Sequence, residues 1–340
     1  MAQSSIIVIG ASAGGVEALR FLASALPDTM SAPVLIVLHI GALRSELPDL
    51  LNSVGPIFAK HAEDGETICP GRIYIAPSDR HMIVADGRLR LTRGPKENWA
   101  RPAIDPLFRS AAEAYRSNVV GVILTGRLND GTAGLFEIKQ RGGIAIVQDP
   151  EDATFPDMPK SAAAHVALDY CLPLAEIPQM LIELVDGKEG KGVAMANISS
   201  QRSEQKSEVT TAEHFDRPLT IACPDCGGAL RKSQTGSIIK FACHIGHTYT
   251  AEIMAMAQFE DMEKTMRAAV RCLNERAEFC RLMAEDGSSA SSDHSADWDA
   301  AHKQALDRAY QLRDFVEQGW IMPESSRQPA VTMKPVETDR

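Results

Sequence analysis

The tightest constraint on this chain is Gly10-Ala11-Ser12-Ala13-Gly14, set between the apolar run Ile6-Ile7-Val8-Ile9 and a helical pattern through Val16, Leu19, Leu22 and Leu26. The apolar run reads as a buried strand, and apolar positions at steps of three and four read as a core-facing helix. Glycine on each side lets the backbone turn sharply between them. Strand, glycine–serine–glycine turn and helix together present a serine hydroxyl at a helix N-terminus, where developing negative charge is favoured. Ser12 is therefore a candidate acyl-transfer nucleophile. Taken alone, the segment also admits a phosphate-cradling loop with the serine merely capping the helix. Against that reading, the spacing is not G-x-G-x-x-G and no P-loop lysine follows.

A serine is a poor nucleophile until a base takes its proton, and the base works best when a third group orients it. Residues 5 to about 186 alternate β-rich runs (34–38, 119–124, 144–147) with helical patterns near 14–26, 44–53, 105–117, 131–141 and 174–186. This predicts an α/β fold, doubly wound as three α/β/α layers around a mostly parallel sheet. Asp86-Gly87 between 80–84 and 88–92 predicts a hairpin that adds an antiparallel pair to that sheet. Open parallel sheets gather functional groups at their C-terminal strand ends. His39 closes the run 34–38, and Asp130 lies in the turn 125–131 after the next, so both would share a rim with Ser12. Each alone is ordinary, a strand-end histidine or an Asp-Gly turn; together they suggest base and orienting carboxylate. The order Ser, His, Asp differs from the Ser, Asp, His of α/β-hydrolases.

The 35 basic and 45 acidic residues give a net charge of -10, which argues against general nucleic-acid or anionic-membrane binding. No run approaches the roughly 18 apolar residues of a membrane span, and the N-terminus lacks the basic region of a signal peptide. Seven cysteines, three of them clustered with histidine, suit a reducing, cytoplasmic protein with a metal site.

The composition turns to Gly, Lys, Ser, Glu and Gln over 187–218, read as a flexible linker between a 1–186 catalytic domain and a C-terminal region of different character. Residues 219–250 then carry Cys223-Pro-Asp-Cys226 and Cys243-His244-Ile-Gly-His247. Two short-range pairs joined by such a loop have zinc-ribbon spacing, with Cys223, Cys226, Cys243 and His247 as ligands of a structural Zn2+. His244, adjacent to Cys243, would point away. A redox C-x-x-C pair is the competing reading; Gly227-Gly228 and the apolar run 238–241 favour the ribbon. Phe259, Met262, Met266, Val270, Leu273, Ala277 and Cys280 form a helical seam within an expected helical hairpin over 251–322, read first as an intramolecular packing face and second as a partner site; ribbon and hairpin together would dock a partner or form a dimer. Residues 323–340 read as a disordered tail.

The segments VIGASAGGVEAL, VLHI, GRIYIAPSDRHM, RPAIDPLFRSAA, GVILTGRLNDGTAGL and GGIAIVQDPEDATFPDMPKSA, in that order, resemble the catalytic domain of CheB-type protein-glutamate methylesterases over roughly residues 5–186. The resemblance implies Ser12 as nucleophile, His39 as base and Asp130 as its carboxylate, acting on glutamyl methyl esters of a chemoreceptor's cytoplasmic helices. No catalytic cofactor is implied, and some family members also deamidate receptor glutamines. The backbone N–H of Ala13 is the local oxyanion donor, and the family pattern suggests that of Arg127 as the second. Ala13, Leu38 and Arg127 stand where threonine, glutamine and methionine are common in the family. The chain begins at the first catalytic strand, so the family's receiver domain and its control by phosphorylation are not expected. Two other readings compete: a non-catalytic regulatory protein working through its zinc-helical module, and a nucleotide-binding α/β protein. Asp105 is expected to cap a helix, His61, His81 and His165 to be structural, and Cys69 and Cys171 to fill small packing sites.

Overall fold

The computed structural model describes residues 5–39, 45–185, 219–286 and 292–318. The expected linker and tail lie outside the described residues. Two compact units emerge, residues 1–253 and 254–340.

The first unit opens with β1 (Ile6–Ala11), α1 (Gly15–Ala25), β2 (Val34–Leu38), α2 (Leu47–Asn52), β3 (Ala59–His61) and β4 (Ile73–Ile75). The hairpin β5 (His81–Ala85) and β6 (Arg88–Thr92) comes next, then α3 (Ile104–Tyr115), β7 (Val119–Ile123), α4 (Thr132–Gln140), β8 (Ile144–Gln148), α5 (Asp157–His165), β9 (Tyr170–Leu172) and α6 (Ile177–Val185). Seven strands form one parallel sheet in the order β3-β4-β2-β1-β7-β8-β9. Successive side chains of a strand point to opposite faces, so a strand covered on both sides must be apolar throughout. β1 does this: Ile7, Ile9 and Ala11 pack with Leu19 and Leu22 of α1 and Leu181 of α6, while Ile6 and Val8 pack with Leu107 and Phe108 of α3 and Leu135 of α4. Burying one such aliphatic side chain is worth about 1.5–3 kcal/mol.

The expected hairpin forms but does not join the main sheet. β5 and β6 make a separate two-stranded sheet, whose Met82, Val84 and Leu89 pack in the α3 cluster. The Val84 N–H donates to Ser110 Oγ of α3 at 3.0 Å. One apolar and one solvated face suit a flap on a helix better than a strand covered on both sides.

The chain re-enters the first unit as β10 (Leu230–Thr235), β11 (Ile238–Cys243) and β12 (Thr248–Thr250), a three-stranded antiparallel sheet. It docks at several places. Gly236, at the β10–β11 turn, lies against the Phe136 ring of α4, and Thr248 pairs with the segment around Glu97.

α7 (Ala251–Asp286) and α8 (Ser292–Glu317) are the two long helices. Within the second unit, Ala277, Cys280, Ala305 and Ala309 are buried, and small residues let helices approach closely. His302 Nδ1 bonds Ala277 O at 2.8 Å, and the Phe279 and Trp298 rings meet edge to face at 5.9 Å. These pairs run in opposite order along the two helices, as in an antiparallel hairpin.

Candidate active site

Strand order reverses at β1, whose neighbours are β2 on one side and β7 on the other. That is where open α/β sheets leave a crevice at their carboxyl ends. Ala11 is in register with Leu38, and the His39 N–H donates to Ala11 O at 3.1 Å. Ser12 and His39, each one residue beyond that pair, therefore follow directly on the ends of adjacent, paired strands.

The turn carrying Ser12 is tied down from β7. The Ser12 N–H donates to Thr125 O at 3.0 Å, and the Thr125 hydroxyl donates to Ala13 O at 3.1 Å while accepting the Phe155 N–H at 2.8 Å. Gly14 takes φ 75°, a left-handed conformation natural to glycine, and starts α1. Gly126 is needed for space: a Cβ there would come within 2.8 Å of Ser12 Cβ and closer still to Met158 Sδ.

His39 Nε2 lies 2.8 Å from Asp130 Oδ2. The histidine side chain is 20% exposed and the carboxylate 2%. With Nε2 engaged, Nδ1 is the ring nitrogen left to exchange a proton with a serine. Asp130 also accepts the Ile104 N–H on Oδ2 at 2.6 Å and Asn98 Nδ2 on Oδ1 at 2.9 Å. Burial pushes its pKa up, but His39 and these donors outweigh burial and hold it below the ordinary carboxylate value. The Ala13 and Arg127 N–H groups meet no acceptor among the described residues. The Arg127 guanidinium lies over the Phe155 ring, 5.1 Å from its centroid.

A family model described as CheB methylesterase matches residues 7–181, slightly more than half of the chain. The chain belongs to the CheB methylesterase family. A Leptospira interrogans protein provisionally named a protein-glutamate methylesterase/protein-glutamine glutaminase is 41% identical over 180 residues, 52% of this chain and 93% of that protein. A Thermotoga maritima protein of the same name is 40% identical over 188 residues, 54% of this chain and 55% of that one. The chain thus spans about half the length of the latter relative. The crystal structure of the T. maritima CheB methylesterase catalytic domain matches with a TM-score of 0.52 at 40% identity, covering 54% of this chain and 99% of that one. As a member of this family the protein is an enzyme of the carboxylic ester hydrolase class.

Several site residues of this CheB-family domain have no local sequence signal. Asn98, buried with φ 50°, donates through Nδ2 to both Asp130 and Asp105. Asp105 does not cap its own helix as expected. Ala103 holds the N-cap position of α3, and the Asp105 carboxylate instead accepts the Gly134 N–H of α4 at 2.7 Å. Burial, then the neighbouring Asp130 charge, raises its pKa to about 6. His81 bonds Pro95 O and the Ala103 N–H, and His165 bonds Ser161 O. Cys69 is exposed rather than packed, because it sits on the loop before β4; Cys171 is half-buried.

In the β10–β12 module, Cys223, Cys226, Cys243 and His247 bring one donor atom each within 4.8 Å of one another. Cys226 Sγ and Cys243 Sγ are 3.7 Å apart, and His247 Nδ1 is 3.6 Å from Cys223 Sγ and from Cys243 Sγ. A tetrahedral zinc with Zn–S bonds near 2.3 Å sets sulfurs about 3.8 Å apart, so this donor set fits one ion. His244 is exposed and lies over Gly228, outside the cluster.

Proposed function

We propose that the protein is a serine esterase that hydrolyses glutamyl methyl esters on the cytoplasmic helices of chemoreceptors or receptor-like signalling proteins. The observation that carries this reading is the 2.8 Å bond from His39 Nε2 to a buried Asp130, beside the strand end that bears Ser12. Ser12 Oγ attacks the ester carbonyl while His39 Nδ1 takes its proton, and Asp130 stabilises the imidazolium that results. The N–H groups of Ala13 and Arg127 hold the tetrahedral oxyanion. Collapse expels methoxide, which takes the proton from His39 and leaves as methanol. Water, deprotonated by the same imidazole, then attacks the glutamyl–Ser12 ester, releasing the glutamate carboxylate and restoring the serine. A glutamine side chain would take the same course with ammonia leaving, in line with the second half of the relatives' name.

The proposed organisation is a catalytic domain to residue 186, a linker, a zinc module and a helical hairpin. Cys223, Cys226, Cys243 and His247 would hold one Zn2+, which supplies a cross-link between two tight turns and leaves no open coordination position. Among the described residues no helix is long and apolar enough to cross a membrane. A cytoplasmic location is part of the proposal, in keeping with the free cysteines.

The test is methanol release from receptor-bearing membranes carrying radiolabelled methyl esters. The full chain should release label and Ser12→Ala none above background. Equal release by both would overturn the proposal.

A further inference from the structure

The β10–β12 module reaches the catalytic carboxylate through one side chain. The Asn98 N–H donates to Thr248 O at 2.8 Å, and its Oδ1 accepts the Thr250 N–H at 3.2 Å. Its Nδ2 is then committed to Asp130 Oδ1 at 2.9 Å and Asp105 Oδ2 at 3.0 Å. The opposite amide flip would set Oδ1 against two carboxylates and Nδ2 against an N–H, losing every one of these side-chain bonds. The Thr250 N–H therefore fixes the orientation in which Asn98 can hold Asp130.

Further contacts strengthen the grip. Thr250 Oγ1 donates to Asn129 Oδ1 at 3.0 Å, and Asn129 Nδ2 donates to Glu252 Oε2 at 2.8 Å, so the residue before Asp130 is held as well. Lys240 of β11, nine-tenths buried, brings positive charge to bear on Asp105. On the module side, β12 starts one residue after His247, and the Tyr249 hydroxyl sits 3.2 Å from Cys223 Sγ and donates to Asp225 Oδ2 at 2.8 Å. An unbroken path of short contacts thus joins the four-donor cluster to β12, Asn98, Asp130 and His39.

We propose that the cysteine–histidine module is a positioning element of the active site, with Asn98 the positioning residue through which β12 fixes the Asp130 carboxylate. Metal in the module would then set the rate of chemistry without touching substrate. This rests on the reading of Ser12, His39 and Asp130 as the hydrolytic residues.

The test uses the full chain loaded with Zn2+, the same chain after chelation, and Asn98→Gly, which suits the left-handed backbone at that position. Two readouts are taken: kcat and KM for methyl-ester hydrolysis, and the downfield NMR resonance of the His39 ring proton facing Asp130. Asn98→Gly should lower kcat about tenfold to a hundredfold, the scale of one hydrogen bond to a charged group, with KM little changed and the resonance shifted or broadened. Chelation of the wild type should do the same, and chelation of Asn98→Gly should lower kcat by a smaller factor than chelation of the wild type does, leaving only the loss of the Asn129 contacts. A chelated wild type that keeps its resonance and kcat, or an Asn98→Gly that keeps both, would overturn the proposal. If either perturbation unfolds the unit, the other decides. Absence of turnover in the wild type would sink the esterase reading, while the resonance would still decide the coupling.

Discussion

Asp130→Asn changes one atom at the centre of the site, and the structure sets what it should cost. Every approach to the carboxylate is a donor. His39 Nε2 and the Ile104 N–H face Oδ2, while Asn98 Nδ2 and the Asp105 N–H, the latter at a long 3.4 Å, face Oδ1. Whichever way an asparagine is turned, its NH2 meets donors. If it faces His39, the imidazole must hold its proton on Nδ1 and can no longer accept one from Ser12. If it faces Asn98, two buried NH2 groups oppose each other and the charge that stabilised the imidazolium is still gone. The expected loss in kcat is about 10⁴-fold, the scale seen when a triad carboxylate is neutralised. One unsatisfied buried donor costs about 1–3 kcal/mol, or a few degrees of melting temperature for a unit of this size. Relief of Asp105, which loses a like charge beside it, offsets part of that. Methanol release and urea unfolding on the same preparation separate the two effects. A folded Asp130→Asn with kcat within tenfold of the wild type would refute the assignment.

Asp105 should leave a signature in stability against pH. Its folded pKa of about 6 lies above the unfolded value near 3.9, so folding favours its protonated form. Its contribution is complete below about pH 4 and is lost as pH rises through 6, a fall of ~3 kcal/mol for a fully buried carboxyl. Asp130, held low, titrates below that window. Asp105→Asn should flatten this slope, and parallel urea midpoints for the two proteins across pH 4–8 would contradict it. Gly126→Ala should push Ser12 out of line through the 2.8 Å approach to its Cβ. The expected acylation rate by a serine-directed probe is about a hundredfold lower, with about 1–3 kcal/mol of overpacking in unfolding experiments. Labelling at the wild-type rate would show that the turn has room to spare.

The sequence made legible what depends on near neighbours along the chain. β1, β2 and β7, and β8 as far as Val147, carry no polar side chain because both sheet faces are covered, so each reads as a continuous run. Ser12, His39 and Asp130 stand out as candidates because each closes or follows such a run. The four metal-type donors were visible because each pair lies within one tight turn. Shorter elements escaped: β3, β4 and β9 span three residues each, too few for a period, and α5 carries Pro159 and a weak apolar face.

Tertiary structure alone decided the rest. Which His39 nitrogen meets Asp130, where the β5–β6 flap packs, and why Asp105 turns to α4 all depend on strand register and on surfaces brought together from distant segments. Asn98, Thr250 and Asn129 lie far apart in the chain, and no pattern along it links them. Hydrophobic periodicity is a local code for which face is buried. Pairing among buried polar groups is settled only when folding removes water and leaves each donor to find its acceptor across the chain.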